Sequence, residues 1–397
     1  MQHSTDRILT THAGSLPRPQ SLISLHKAKF EHAAVSDEAL NEAIETAVRD
    51  VIGKQIGAGL DVVNNGEMGR ESFFTYLQHR MTGFGGTSTR PIMADLLRYP
   101  GALARRKQAM GSEDRVDLLK APKAIGEVHY INPEPIEADV RQLNRLLAER
   151  AGSFREAFVS APSPGIIAAG MQNDYYDSLE DYVNALASAL RTEYVTIADS
   201  GFVLQIDAPD LALERHTLFQ DKPLPDFLEF VRIVARATNR ALEGIPQEQV
   251  RLHVCWGNYE GPHDSDVPLA DIWPEVSKIK AGAVMLSMAN PRHAHEYRLF
   301  ADREFLGDGR ILIPGVIETT TNFVEHPEVV ADRIERVVNV VGDPQRVIAG
   351  TDCGFETAAG SKMVVEEVVW AKLRSLAEGA AIASRRLLGK GVETPGG

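Results

Sequence analysis

Only two cysteines, Cys255 and Cys353, occur among 397 residues, and they stand far apart in the chain. That scarcity excludes a disulfide-stapled scaffold. Basic residues are outnumbered, with 42 Lys and Arg against 55 Asp and Glu and a formal charge of −13. Nucleic acid and anionic membranes both call for a basic face, so neither is expected as a partner. No run approaches the ~18 apolar residues that span a bilayer, and the first residues, MQHSTDRILTTHAGS, contain no apolar signal segment. The protein is therefore read as cytoplasmic, with reduced thiols. No GxGxxG follows a strand and no Walker pattern occurs, so nucleotide cofactors have no support.

The remaining composition, 44% hydrophobic and 24% charged, is that of a globular protein with a sizeable core. From Glu156 onward strand and helix signals alternate, and the strands are continuously apolar. That is the pattern of parallel strands buried on both faces. Nine strand candidates can be counted, one more than a closed eight-stranded barrel needs. Helices are expected over Leu22 to Phe30, Ser36 to Ala58, Leu224 to Glu243, Leu269 to Ile279, HAHEYRLFAD and about Ser361 to Leu388. Residues 83–122 show no steady period and read as an excursion. Ser15, Glu67, Ser160, Asp207, His253, Cys255, Glu318, Asp352 and Cys353 all fall at or just past strand carboxyl ends. A doubly wound sheet focuses ligands at one crevice, whereas a barrel gathers all its strand ends around one mouth. The expected fold is therefore α/β, a single (β/α)8 TIM barrel over residues 1–397 with an insertion after the second strand, roughly 83–122.

His253 and Cys255 lie two apart at the end of RLHVC, so a pleated strand sends both to one face. Cys353, in VIAGTDCGF, adds a second thiol from another strand end. A free cysteine is ordinarily a small buried hydrophobe, but a His, Cys, Cys set is also a zinc donor set with an open fourth position. Bound there, a substrate thiol is deprotonated and becomes a nucleophile. Glu67 and Asp207 can take a substrate ammonium, and the backbone around Gly14 and Ser15 its carboxylate. Each also has a plain alternative: Glu67 as a loop cap, Asp207 as an acceptor for the turn after its strand. Two carboxylates in a barrel mouth also suit glycoside hydrolysis, in which the His-x-Cys pair has no role. His263, beside Asp264 and Asp266, reads as part of a solvated acidic loop, and His293 and His295 as residues that cap or pair at a helix start.

In order along the chain, TTHAGSLPRP, GLDVVNNGE, LQIDAPDLA, LHVCWGN and GTDCGF resemble the barrel of cobalamin-independent methionine synthase and its shorter relatives, among them the epoxyalkane:coenzyme M transferases. The resemblance implies a (β/α)8 barrel that uses Zn2+ to activate a thiol for methyl or alkyl transfer. It places His253, Cys255 and Cys353 as metal ligands, and Ser15, Glu67 and Asp207 at a homocysteine-like acceptor. KAIGEVHY resembles a strand outside the barrel.

Three departures accompany this. Ser287 or Met288 stands where the synthases carry a glutamate ligand. Glu318, followed by threonines, stands near their Asp-x-His acid and is the candidate catalytic residue. A second, amino-terminal barrel finds no room. The expected partners are a small thiol and a methyl or alkyl donor. The expected activity is a zinc-dependent thiol S-methyl or alkyltransferase. The alternatives are epoxide opening of the coenzyme M transferase type, and a non-catalytic zinc- or amino-acid-binding barrel.

Overall fold

A computed structural model describes residues 1–110 and 115–389. The strands along it are β1 (Leu9–Thr10), β2 (Val62–Val63), β3 (Phe84–Gly85), β4 (Lys123–Ala124), β5 (Glu156–Pro162), β6 (Val203–Asp207), β7 (Val250–Val254), β8 (Ala283–Leu286), β9 (Ile311–Ile317) and β10 (Ile348–Thr351). Eight of them form one sheet in the order β1-β10-β9-β8-β7-β6-β5-β2, with every pair parallel. The two ends of that order meet where the Asp61 N–H donates to the Thr10 carbonyl at 3.2 Å. Spatial order thus follows chain order around a ring, which is the (β/α)8 barrel.

The apolar strands are buried along their whole length. Leu204, Ile206, Leu252 and Val254 pack outward into the large core shared with the helices. Inside the ring, Leu9, Met285, Ile311, Ile313 and Ile348 fill the lower barrel. The helix Leu224–Ala241 shows how the outer layer is built. It buries Phe227, Phe230, Val231, Val234 and Thr238, an apolar stripe at three- and four-residue spacing. Serines at 36, 163 and 178 start helices by accepting the N–H of the third residue on. No helix among the described residues is long and apolar enough to cross a membrane.

Two expectations need correction. HAHEYRLFAD is not an α-helix: Glu296–Ala301 is a 3-10 turn, because i→i+3 bonds such as Glu296 N–H to His293 O close it tightly. KAIGEVHY supplies β4, which pairs antiparallel with β3 outside the eight-stranded ring, as the resemblance implies. The 83–122 excursion is more ordered than its sequence suggests, with helices Ala94–Arg98 and Pro100–Met110.

Asp210, in the turn after β6, is buried against the helix that Ser163 caps, and it accepts the Ser163 hydroxyl. Its Oδ2 has no partner, and a Cβ at Gly165 would sit 2.0 Å from that oxygen. Burial, with the Glu214 charge adding to it, pushes the Asp210 carboxyl up to about 7. Between about pH 4 and 7 the folded chain therefore holds a proton that the unfolded chain has released, so stability falls as pH rises through that window. Asp210→Asn removes this dependence. Urea unfolding at pH 5 and pH 8 is expected to show the variant gaining on the wild type by on the order of 1 kcal/mol or more at the higher pH.

Candidate active site at the barrel mouth

Along β7 the residues Arg251, His253 and Cys255 alternate with Leu252 and Val254, so one face is polar and the other apolar. The polar face points into the ring. Cys353 arrives from the end of β10, two residues past a register irregularity at Gly350 and Thr351. The ligand atoms of His253, Cys255 and Cys353 all lie within 4.8 Å of one another, and the two sulfurs are 3.9 Å apart. All three residues are buried.

A carboxylate can only accept, so the 2.9 Å contact between Asp207 Oδ1 and His253 Nδ1 puts the imidazole proton on Nδ1. Burial works against charge on His253, but the Asp207 bond and the neighbouring Cys255 raise it to about 10. The Cys353 thiol and His253 pull Cys255 well down, and Cys255 in turn pushes Cys353 up. Two sulfurs and an imidazole so close form one coupled set of donor atoms. Their spacing and softness fit a zinc ion.

Glu67 sits in the left-handed region at φ 60°. A non-glycine residue rarely accepts that strain outside functional positions. Its N–H is held by Asn65 Oδ1 at 3.0 Å, and its Oε1 takes the Ser160 hydroxyl at 2.8 Å. Oε2 is buried with no partner. Burial, then the charge of Asp207, raises the Glu67 carboxyl. Ser15, Glu67, Asp207, His253, Cys255 and Cys353 line one cavity. Gly14 stands behind it, its N–H donating to His12 Nδ1 at 3.2 Å. His12 is held neutral, down to about 3, by burial.

Glu318 is not brought to this cavity. Its carboxylate accepts the amides and hydroxyls of both Thr320 and Thr321. Burial opposes its charge, yet those donors hold it below the ordinary range. The expected catalytic residue is thus a loop cap. Ser287 donates its hydroxyl to the Asp352 carbonyl at 2.7 Å. The Asp352 carboxylate accepts the N–H groups of Met288, Ala289 and Asn290, each at 2.8 Å. Burial raises Asp352 to about 6 against those amides.

The loop 263–266 also differs from expectation. Asp266 is buried, not solvated, and meets His263 Nδ1, His293 Nε2 and His216 Nδ1 at 2.7–2.9 Å. Burial works against these charges, but Asp266 and Glu296 raise His293 to about 9. Sequence reasoning missed Arg90, Arg106 and Tyr259, which line the outer cavity. Their only signal was basic residues in the excursion and an aromatic four positions after Cys255.

Residues 8–373 match the family described as the cobalamin-independent synthase, catalytic domain. Among relatives, the methionine synthase of Sulfurisphaera tokodaii is 25% identical over 389 residues, covering 96% of this chain and 94% of its own. That of Saccharolobus solfataricus is 26% identical over 386 residues, covering 96% of each. The solved B12-independent methionine synthase from Shewanella sp. W3-18-1, in complex with selenomethionine, shares the fold with a TM-score of 0.71. Identity is 21%, covering 97% of this chain and 100% of that one. A putative vitamin-B12 independent methionine synthase from Listeria monocytogenes gives a TM-score of 0.60 at 19% identity, covering 94% and 98%.

If Glu318 serves the loop and not the cavity, Glu318→Ala lowers stability by about 1–2 kcal/mol through its lost cap bonds. Metal content should stay at the wild-type value. Urea midpoints and elemental analysis read the two effects separately, and a loss of metal would contradict the placement.

Proposed function

The chain belongs to the cobalamin-independent synthase catalytic-domain family, and on that premise we propose that it is an enzyme that methylates or alkylates a small thiol, homocysteine in the first instance. Relatives that carry the name methionine synthase over nearly the whole chain support that acceptor. The observation that carries the reading is the convergence of His253, Cys255 and Cys353 in one buried cluster. Glycoside hydrolysis leaves that cluster without a task.

Zinc held by these three residues supplies one chemistry, lowering the pKa of a thiol that joins it from ~8.5 so that the sulfur is ionised at neutral pH. The protein's own groups prepare for that. Asp207 keeps the proton on His253 Nδ1, which would leave the Nε2 lone pair to hold the metal. Ser287 donates its hydroxyl to the Asp352 carbonyl and stays outside the His253, Cys255 and Cys353 cluster, which would leave room for the acceptor's sulfur. Glu67 Oε2, buried without a partner, gains one in the acceptor's ammonium. That pairing restores the charged form that burial disfavours. With the Gly14 N–H taken by His12, the acceptor carboxylate falls to Ser15. Once ammonium and sulfur are both fixed, the sulfur meets the alkyl carbon in one orientation, and the entropy of alignment has been met on binding.

Cys255→Ser and Cys353→Ser are each expected to drop zinc from about one per chain to a small fraction of that. Circular dichroism and melting should remain close to wild type, because the core does not rest on the cluster. Loss of fold together with metal would instead mark a structural site. Glu67→Gln should weaken L-homocysteine binding about tenfold or more while leaving mercaptoethanol, which has no ammonium, unchanged. Equal losses for both thiols would remove Glu67 from the acceptor site.

A further inference from the structure

The arginines around the excursion have carboxylates to pair with, except one. Arg90 donates to the buried Glu214, Arg98 meets Asp264 at 3.0 Å, and Arg105 meets Glu260 at 3.0 Å. Arg106 has no carboxylate at ion-pair distance among the described residues, and its partner is a ring, with Cζ 4.9 Å from the Tyr259 centroid. That ring is fixed. The Tyr259 hydroxyl donates to Asp95 Oδ2 at 2.5 Å, and its other neighbour is His263 at 4.1 Å between centroids. Asp95 is already engaged, since it also accepts the N–H groups of His263 and Leu96. Burial pulls the Arg106 guanidinium below its ordinary value; Tyr259 and Asp95 oppose that pull, and Arg115 adds to it.

A guanidinium stays protonated in proteins, so among the described residues Arg106 is a partly buried cation with no carboxylate at ion-pair distance, in a chain of net charge −13. Arg106 lines the same cavity as Cys255 and Cys353, between apolar walls that include Phe74 and Leu213. A charge taken partly out of water is costly unless it is paired, and carboxylate, sulfonate and phosphate groups pair with a guanidinium through strong charge-assisted hydrogen bonds.

We infer that Arg106 determines specificity for the second reactant: the alkyl donor bears an anionic group, carboxylate, sulfonate or phosphate, which Arg106 binds against the Tyr259 ring. This rests on the thiol-alkylating function, in which the acceptor's ammonium and sulfur are already provided for at Glu67 and the cysteines. The donor then takes the remaining apolar walls and the remaining charge. Arg106 touches neither sulfur nor the transferred carbon in this scheme; it selects and orients.

The test is calorimetric binding to the zinc-loaded full chain of four matched probes: hexanol, hexanoate, hexanesulfonate and hexyl phosphate. At least one anion is expected to bind about tenfold tighter than hexanol at low salt, and the anion preferred names the head group. Arg106→Gln should abolish that preference while leaving hexanol binding unchanged. Arg106→Lys should keep part of it, because the charge remains without the planar fork. The lysine variant decides the matter if the glutamine variant does not fold. No anion preference in the wild type, or a preference that survives in Arg106→Gln, overturns the inference. Homocysteine binding to the metal, followed in the same samples, should be equal in wild type and variant. Its absence from both would count against thiol alkylation and not against Arg106 as an anion site.

Discussion

Asp207 Oδ1 accepts two hydrogens, from Gln205 Nε2 at 2.7 Å and from His253 Nδ1 at 2.9 Å, and the floor of the cavity depends on that carboxylate. The Gln205 amide also reaches the Ala13 carbonyl, and its oxygen takes Arg251 Nε–H at 2.8 Å. Arg251 goes on to Thr11 Oγ1 and the His12 carbonyl, lying 3.5 Å over the Phe158 ring. Strands β1, β5, β6 and β7 are thereby joined inside the ring by side chains as well as by their ladders. Burial pulls Arg251 down to about 9, and the nearby Asp207 charge opposes that pull. A buried cation and a buried anion each make the other tolerable, and their joint result is a histidine with its Nε2 fixed in direction.

A second carboxylate performs a similar task on the far side. Asp352 holds three consecutive amides of the loop after β8. The approach is so close that a Cβ at Gly315 would lie 2.0 Å from Asp352 Oδ1. Only glycine fits at that point of β9. Because Asp352 precedes Cys353 directly, the latch sets where the second sulfur stands. The Ser287 hydroxyl closes the same latch by donating to the Asp352 carbonyl.

The barrel was legible because buried parallel strands leave apolar runs, as in AVML and ILIPGVI, and because polar residues stand at or just past the strand ends. Those ends converge whatever the loop lengths, so Glu67, Asp207, His253, Cys255 and Cys353 could be placed at one mouth from order alone. What the strand rule could not reach depended on partners distant in sequence. Asp266 looked solvated because its histidines, His216 and His293, are 50 and 27 positions away. The excursion looked irregular because charge pairs to the loop after β7, such as Arg98 with Asp264, hold its short helices there. Glu318 stood at a strand end like the others, but two threonines immediately after it turned its carboxylate back on its own loop. Position at a strand end put a residue near the mouth; local hydrogen-bond donors decided whether it faced inward.

The cavity has a thiol end with cysteines and carboxylates, and an outer end with Arg106 and apolar walls. In the proposed function the acceptor's sulfur completes the cluster of His253, Cys255 and Cys353. X-ray absorption at the zinc edge tests this most directly, comparing the zinc-loaded protein alone and with L-homocysteine. The expected result is a shell of two sulfurs and one nitrogen from these residues that gains one further sulfur when the thiol is added. A shell that is unchanged by the thiol would contradict it.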